Sequence, residues 1–210
     1  DSVCLVLGDN IFYGQGFTGM LQKAVATAEQ ESKATVFGYQ VSDPERFGVA
    51  EIDSEGNVIS IEEKPKNPRS NKASMGVYVF SWKKLRQYLV DDEANPSSSN
   101  DFGHDLIPAM HEAGERMFAY AFDGYWKDVG TIDSLWEANL DLLNPQVDLD
   151  LTDSSWKIYA KNPVTCPHYV ADTAKVQNSM IAEGCEIEGE VDFSVLFANV
   201  DVEEGAVVKD

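Results

Sequence analysis

The chain is 210 residues long, 43% hydrophobic and 25% charged, which suits one globular domain of ordinary size with a small appendage. Its 16 basic and 36 acidic residues leave a net charge of −20, a surface that repels phosphate backbones and argues against non-specific nucleic-acid binding. No run approaches the length of a membrane span, and no basic segment precedes an apolar core in the manner of a signal peptide.

The first element is an unbroken apolar run, residues 3–7, ended by Gly8, Asp9 and Asn10. A short run closed by turn residues predicts a strand buried on both faces. In an open α/β sheet, ligands bind outside the carboxyl ends of the strands, where Asp9 would stand with Gly8 permitting close approach. An aspartate in that position can equally serve only its own turn. Residues 17–31 follow as a helix with Phe17, Met20, Leu21, Ala24, Val25 and Ala28 on one stripe. Residues 34–39 are the next strand, and strand, helix and strand within forty residues predict a βαβ unit in a parallel sheet.

Residues 47–52 and 58–61 alternate apolar and polar around a polar, glycine-containing turn, which predicts a hairpin. The loop 62–68 carries Pro65 and Pro68 and cannot be a central strand. Residues 74–80 are a strand, and Ser81 is the expected N-cap of a helix with Leu85, Tyr88 and Leu89 inward. A short helix over 104–112 contains Pro108, so its first turn is expected to be irregular. Residues 117–122 form a strand leading to a second aspartate, Asp128. Thr131 then caps a helix over 132–143, with Leu135, Trp136, Asn139, Leu142 and Leu143 inward.

The composition shifts at Asn144-Pro145. Residues 1–145 read as one domain, 146–162 as a linker and 163–210 as a second unit. In that unit Val176, Ile181, Ile187, Val195, Val202 and Val208 lie close to a six-residue spacing, punctuated by Gly184, Gly189 and Gly205. Such a repeat predicts a parallel β-helix; a small antiparallel sheet with loose spacing is the alternative. The three cysteines are too dispersed for a disulfide framework, and the three histidines lack zinc-binding spacing. A reducing cytoplasm is the expected compartment.

Two carboxylates at separate strand ends, Asp9 and Asp128, are what a hard cation such as Mg²⁺ takes when phosphates and water complete its shell. Two unrelated turn aspartates would look the same in sequence. Glu63 and Lys64 stand before Pro65 on a stiff loop, where lysine offers a point charge to a phosphate and glutamate can accept hydrogen bonds from sugar hydroxyls; a solvated charged loop is the plainer alternative. Gly48 and Gly76 interrupt strands, as happens at a close ligand approach or at a bulge.

Leu7-Gly8-Asp9, Arg46-Phe47-Gly48-Val49, Glu63-Lys64-Pro65, Ser74-Met75-Gly76, Asp101-Phe102-Gly103 and the run from Tyr125 to Thr131 occur in an order that resembles the sugar-1-phosphate nucleotidyltransferases across essentially the whole chain. Residues 1–73 are similar to the glucose-1-phosphate thymidylyltransferase branch, and residues 74–210 to the bacterial glucose-1-phosphate adenylyltransferase branch. The resemblance implies a Rossmann-like α/β domain followed by the start of a left-handed parallel β-helix. It also implies Mg²⁺-dependent transfer of a nucleoside monophosphate to glucose 1-phosphate with release of pyrophosphate. On this basis Asp9 and Asp128 are assigned to the metal and Lys64 to the sugar phosphate. Glu63, Gly48 and Ser74 are assigned to the hexose, with Gly76 leaving room for it.

ATP is the favoured donor, toward glycogen-type glucan synthesis, because most of the chain carries that branch's wording. dTTP is the alternative, and a non-catalytic regulatory homologue is a third reading. The parent is expected to be a homo-oligomer, a tetramer, with neither nucleic acid nor membrane as partner. The family's glycine-rich basic loop has no counterpart in residues 1–210, and the chain starts within a core-like strand. A fragment truncated at both ends, inactive by itself, is therefore the expectation.

Overall fold

The computed structural model describes residues 1–14, 16–161 and 164–210. Asn162 and Pro163, where the sequence places the start of the tail, lie outside them. The chain divides into two compact units, Asp1–Asp128 and Val129–Asp210.

The first unit is mixed α/β. Its strands are β1 (Ser2–Val6), β2 (Asn10–Tyr13), β3 (Ala34–Gln40), β4 (Gly48–Ile52), β5 (Val58–Glu63), β6 (Lys72–Ser81), β7 (Met117–Ala121) and β8 (Tyr125–Asp128). Its helices are α1 (Phe17–Gln30), α2 (Trp82–Glu93) and α3 (Ile107–Glu112). The main sheet runs β5-β4-β6-β3-β7, with β1 also pairing β6. β6 is the hub. β3 lies antiparallel along one edge, while β1 (Val6 opposite Val77) and β4 (Val49 opposite Ala73) share the other, end to end. The longest strand also carries a long apolar run: seven consecutive residues, Ala73 to Val79, include only Ser74 and Gly76 as breaks, and Met75, Val77 and Val79 are fully buried.

This arrangement corrects the reading of residues 3–7 as a strand buried on both faces within a parallel sheet. β1 runs antiparallel to β6, which separates it from β3, and the direct parallel pair is β3 with β7. Val3 and Leu5 pack on the core that contains Phe80, Leu85 and Met110, whereas Val6 and Leu7 remain half-exposed. An apolar run records the chemistry of both faces of a strand, and it carries no information on whether both are covered.

The hairpin is as the alternation predicts, with Gly48 opposite Glu63 and Ala50 opposite Ile61. Its turn is held by Asp53, whose carboxylate accepts from the Glu55 and Asn57 amides at 2.8 Å and from Asn57 Nδ2 at 2.9 Å. The tip also reaches β7: Asn57 bridges Phe118, and the Ala119 amide donates to the Gly56 carbonyl at 2.8 Å. The sheet is thereby curled, and a cavity of about 280 Å³ lies within the curl against Val36, Gly38, Ala50, Ala73, Ser74 and Ala121.

α1 buries Phe17, Ala24 and Ala28, on the predicted stripe, and the Phe17 ring meets Phe12, Phe37 and Phe122 at 5.0–5.7 Å. Ser81 occupies the N-cap of α2 without a capping side-chain bond; the Trp82 amide donates instead to the Asp1 carbonyl. The irregular turn expected near Pro108 is a π-helical turn, Phe102–Leu106, leading into α3. Pro108 is the second residue of α3, directly after that turn.

In the second unit α4 (Ile132–Asp141) begins with a capping box in which Thr131 and Ser134 bond reciprocally. Only Ala138 of this helix is buried, and Leu135 and Trp136, expected inward, are about half exposed. Their spacing makes an apolar stripe, but spacing does not supply the surface that covers one. Beyond it, β9 (Tyr169–Val170), β10 (Lys175–Gln177), β11 (Met180–Ile181), β12 (Glu186–Ile187), β13 (Glu190–Asp192), β14 (Val195–Leu196), β15 (Asp201–Val202) and β16 (Val207–Lys209) pair only in parallel. They form three small sheets, β10-β13-β16, β11-β14 and β15-β12-β9. Each of the six residues that carry the spacing falls in a strand, and Ile187 and Val202 join Cys185, Val191 and Leu196 in the core. Parallel pairing throughout excludes the small antiparallel sheet.

Candidate functional site

Two clusters within the first unit hold the residues selected from the sequence. The larger is built on β4, β5 and β6. Because Gly48 pairs with Glu63 across the hairpin, the glutamate projects over a residue without a side chain. A Cβ built on Gly48 would lie 2.7 Å from Glu63 Oε2 and 3.8 Å from Ser74 Cβ. On β6, Ser74 Oγ and the Tyr78 hydroxyl share a hydrogen bond of 2.8 Å, and the Gly76 amide donates to Ser74 Oγ at 3.4 Å.

Lys64 follows Glu63 with φ +44°, its amide donating to the Phe47 carbonyl at 3.0 Å. Its Nζ stands 3.6 Å from Glu63 Oε1 and remains largely exposed. Gly48, Glu63, Lys64 and Ser74 are therefore brought together. Gly76 belongs to the same strand face, but the space in front of it holds the Leu7 side chain, 2.5 Å from where a Cβ would stand. Its φ of +68° gives a second reason for glycine.

The electrostatics of this cluster follow from burial. Glu63 is half-buried, and loss of water pushes its carboxyl pKa up, with Lys64 opposing the shift and Asp101 adding to it. Burial likewise raises the Tyr78 hydroxyl, reinforced by Glu63 and Asp101. Asp101 and His104 come from the π-helical turn. Its geometry is fixed by Asp101 Oδ1 accepting from the His104 amide at 2.7 Å, and by Asp105 accepting from the Ser99 hydroxyl, the Ser99 and Asp101 amides and His104 Nδ1. Those bonds, the Ser99 hydroxyl first, hold the Asp105 carboxyl well below the usual carboxylate range and raise the His104 imidazole.

The second cluster is a two-stranded ribbon. β2 pairs antiparallel with β8, placing Asn10 opposite Asp128, so Asp9 and Asp128 stand at the same end of one ladder although far apart in sequence. Asn10 Nδ2 donates to Asp9 Oδ1 at 3.0 Å, and Trp126 Nε1 donates to Asn10 Oδ1 at 2.9 Å. Trp126 also packs on Tyr39 (5.5 Å) and Phe47 (5.3 Å), which ties the ribbon to the residue preceding Gly48. Among the described residues no group of three or more His, Cys, Asp or Glu side chains converges for a metal. Asp9 and Asp128 are hard-oxygen donors of the kind Mg²⁺ takes, and phosphates and water would have to supply the rest of its ligands.

Tyr78, Gly103, Trp126 and Asn10 adjoin these clusters, and the sequence assigns them no role. The period of two along β6 places Tyr78 on the face of Ser74 and could have found it. Gly103 lies in a motif already singled out, yet only the folded turn brings it to Glu63.

A family model described as nucleotidyl transferase matches residues 1–145. Curated relatives named glucose-1-phosphate adenylyltransferase match nearly all of the chain. That of Bacillus cereus is 47% identical over 99% of the chain and 55% of its own length. That of Bacillus thuringiensis is 47% identical over 100% and 55%, and that of Clostridium botulinum 48% identical over 99% and 53%. The chain spans about half the length of these relatives, and the similarity includes residues 1–73 as well as the remainder. With the family match covering both clusters, the chain belongs to the nucleotidyl transferase family.

Proposed function

We propose that the protein carrying this chain transfers a nucleoside monophosphate from a nucleoside triphosphate to glucose 1-phosphate and releases pyrophosphate, with ATP as donor and ADP-glucose, a precursor for glycogen, as product. The observation that carries this reading is the coverage of both clusters by relatives that are named for this reaction. The geometry supports it. A sugar phosphate needs a cation for its phosphate beside acceptors for its hydroxyls, and Lys64 stands next to Glu63, which lies over Gly48 on the side of Ser74.

The phosphate oxygen of glucose 1-phosphate is already anionic at neutral pH, so no general base is required. It forms a bond to the α-phosphorus as the bond to the β-phosphate bridging oxygen breaks, and the pair leaves as pyrophosphate. Catalysis of this kind is mainly positioning and charge neutralisation. On a chain of net charge −20, the Lys64 ammonium is a local exception that receives the sugar phosphate. Glu63 accepts from hexose hydroxyls, Ser74 orients beside it through Tyr78, and Gly48 leaves room for the Glu63 carboxylate. Asp9 and Asp128 would hold Mg²⁺, which when bound neutralises triphosphate charge.

The parallel sheets of the second unit are read as coils of a left-handed β-helix after a domain over 1–145 and a linker over 146–162. A homotetramer in a reducing cytoplasm completes this reading. The direct test incubates the full-length protein carrying this chain with Mg²⁺, glucose 1-phosphate and either ATP or dTTP. Pyrophosphate and ADP-glucose are expected, with ATP preferred. A preference for dTTP would move the assignment to the thymidylyl branch, and no turnover with either would overturn it.

A further inference from the structure

Glycines in this fold are required for different reasons. At Gly56 and Gly76 the backbone itself is left-handed, with φ of +87° and +68°. At Gly124 and Gly189 a Cβ would strike carbonyl oxygens of the main chain at 2.5–2.6 Å. Gly48 and Gly103 share neither feature: neither has a positive φ. At Gly103 a Cβ would lie 2.6 Å from Glu63 Oε2 and 3.2 Å from Glu63 Cδ, and at Gly48 it would lie 2.7 Å from the same oxygen.

We infer that Gly48 and Gly103 are positioning residues whose missing side chains make a slot for one oxygen of the Glu63 carboxylate, and so set where that carboxylate meets the hexose. The inference rests on the sugar-binding reading above. The two oxygens of Glu63 have distinct surroundings: Oε1 faces Lys64 Nζ at 3.6 Å, and Oε2 lies against the two glycines. The walls of the slot come from unrelated elements, β4 and the π-helical turn. The turn holds Gly103 in place through Asp101, whose Oδ1 is 3.5 Å from the Gly103 Cβ position and bonded to the His104 amide. The close atom in both cases is the end of a flexible side chain. A methyl group at either glycine is therefore accommodated by turning Glu63 outward, and the fold is spared while the carboxylate is displaced.

The test compares wild type, Gly48→Ala, Gly103→Ala and the double variant Gly103→Ala/Glu63→Asp. The measurements are thermal melting, affinity for glucose 1-phosphate by calorimetry, and the ¹³C carboxyl resonance of residue 63 through a pH titration. Each alanine variant should melt with the wild type and bind glucose 1-phosphate roughly tenfold more weakly, the loss of a charge-assisted contact, with nucleotide affinity unchanged. The Glu63 titration midpoint should fall as the carboxylate leaves its half-buried slot, with Lys64, Asp101, His104 and Tyr78 as its charged or titratable neighbours. Aspartate is shorter by one methylene, so the double variant should recover part of the affinity lost by Gly103→Ala. An unmoved Glu63 resonance, a double variant that binds no better than the single, or melting well below wild type would each overturn the inference. A wild type that does not bind glucose 1-phosphate overturns the sugar-binding reading instead, and the resonance then decides on its own whether the glycines seat the carboxylate.

Discussion

The two clusters of the first unit are built in opposite ways. Around Glu63 the polar groups are held by one another and by packing: Ser74 is bonded to Tyr78, Glu63 lies between two glycines, and the π-helical turn is pinned by Asp105. Around Asp9 there is a short ribbon in which Asn10 supports an exposed aspartate and, among the described residues, no third acidic or imidazole ligand converges. The comparison teaches that the cluster proposed to receive the sugar is preformed, whereas the aspartate pair proposed for the metal would depend on what the substrate brings. A preformed site loses affinity when a contact is removed; an end that is completed by its ligands loses turnover.

The largest expected effect breaks the ribbon. Asp9→Asn and Asp128→Asn should each lower pyrophosphate release by about a hundredfold or more, since charge stabilisation by a bound cation is worth several kcal/mol. Affinity for glucose 1-phosphate measured without nucleotide should stay near wild type. Were that affinity to fall as far as the rate, the ribbon would be part of the sugar site.

A smaller effect sharpens the other side. Lys64→Ala should raise the KM for glucose 1-phosphate at least tenfold, equivalent to about 1.5–3 kcal/mol for a charge-assisted bond, and leave that for the triphosphate nearly unchanged. Equal changes in both constants would remove Lys64 from the sugar phosphate.

The smallest effect concerns stability. Because burial raises the folded-state pKa of Glu63, the ionised form is disfavoured in the fold, and stability linked to its protonation is lost as pH rises through that pKa. Glu63→Gln should therefore raise Tm slightly at pH 7, and the gain should vanish below the usual glutamate range, where both side chains are neutral. A melting curve that is lower at pH 7 would mean that the Lys64 pairing outweighs desolvation.

Much of this design is legible in sequence, because local signals and local structure coincide. The hairpin over 48–63, α1, the irregular turn before α3 and the Thr131 cap each follow from a few neighbouring residues. The tail is legible for a related reason: apolar residues recur near one spacing, and each of them falls in a strand that pairs in parallel. The sequence is silent where partners are remote. No pattern shows that β6 lies between β1 and β3, because pairing order is settled by which apolar faces can be covered together. Nor can a period reveal that Gly103 approaches Glu63, forty residues earlier, or that Trp126 reaches Asn10. The aspartate pair is an intermediate case: each strand end is visible, and the ladder that joins them is not.

Lys64 has one further implication. A backbone with φ +44° is one that glycine or asparagine adopts readily, and other residues hold it at a cost of roughly 1–2 kcal/mol. Selection for stability alone would drive this position toward glycine or asparagine, and each such change would discard the ammonium proposed to receive the phosphate. The residue is a one-position trade-off between stability and activity. A library screened only for heat resistance should lose lysine here while a library screened for turnover retains it.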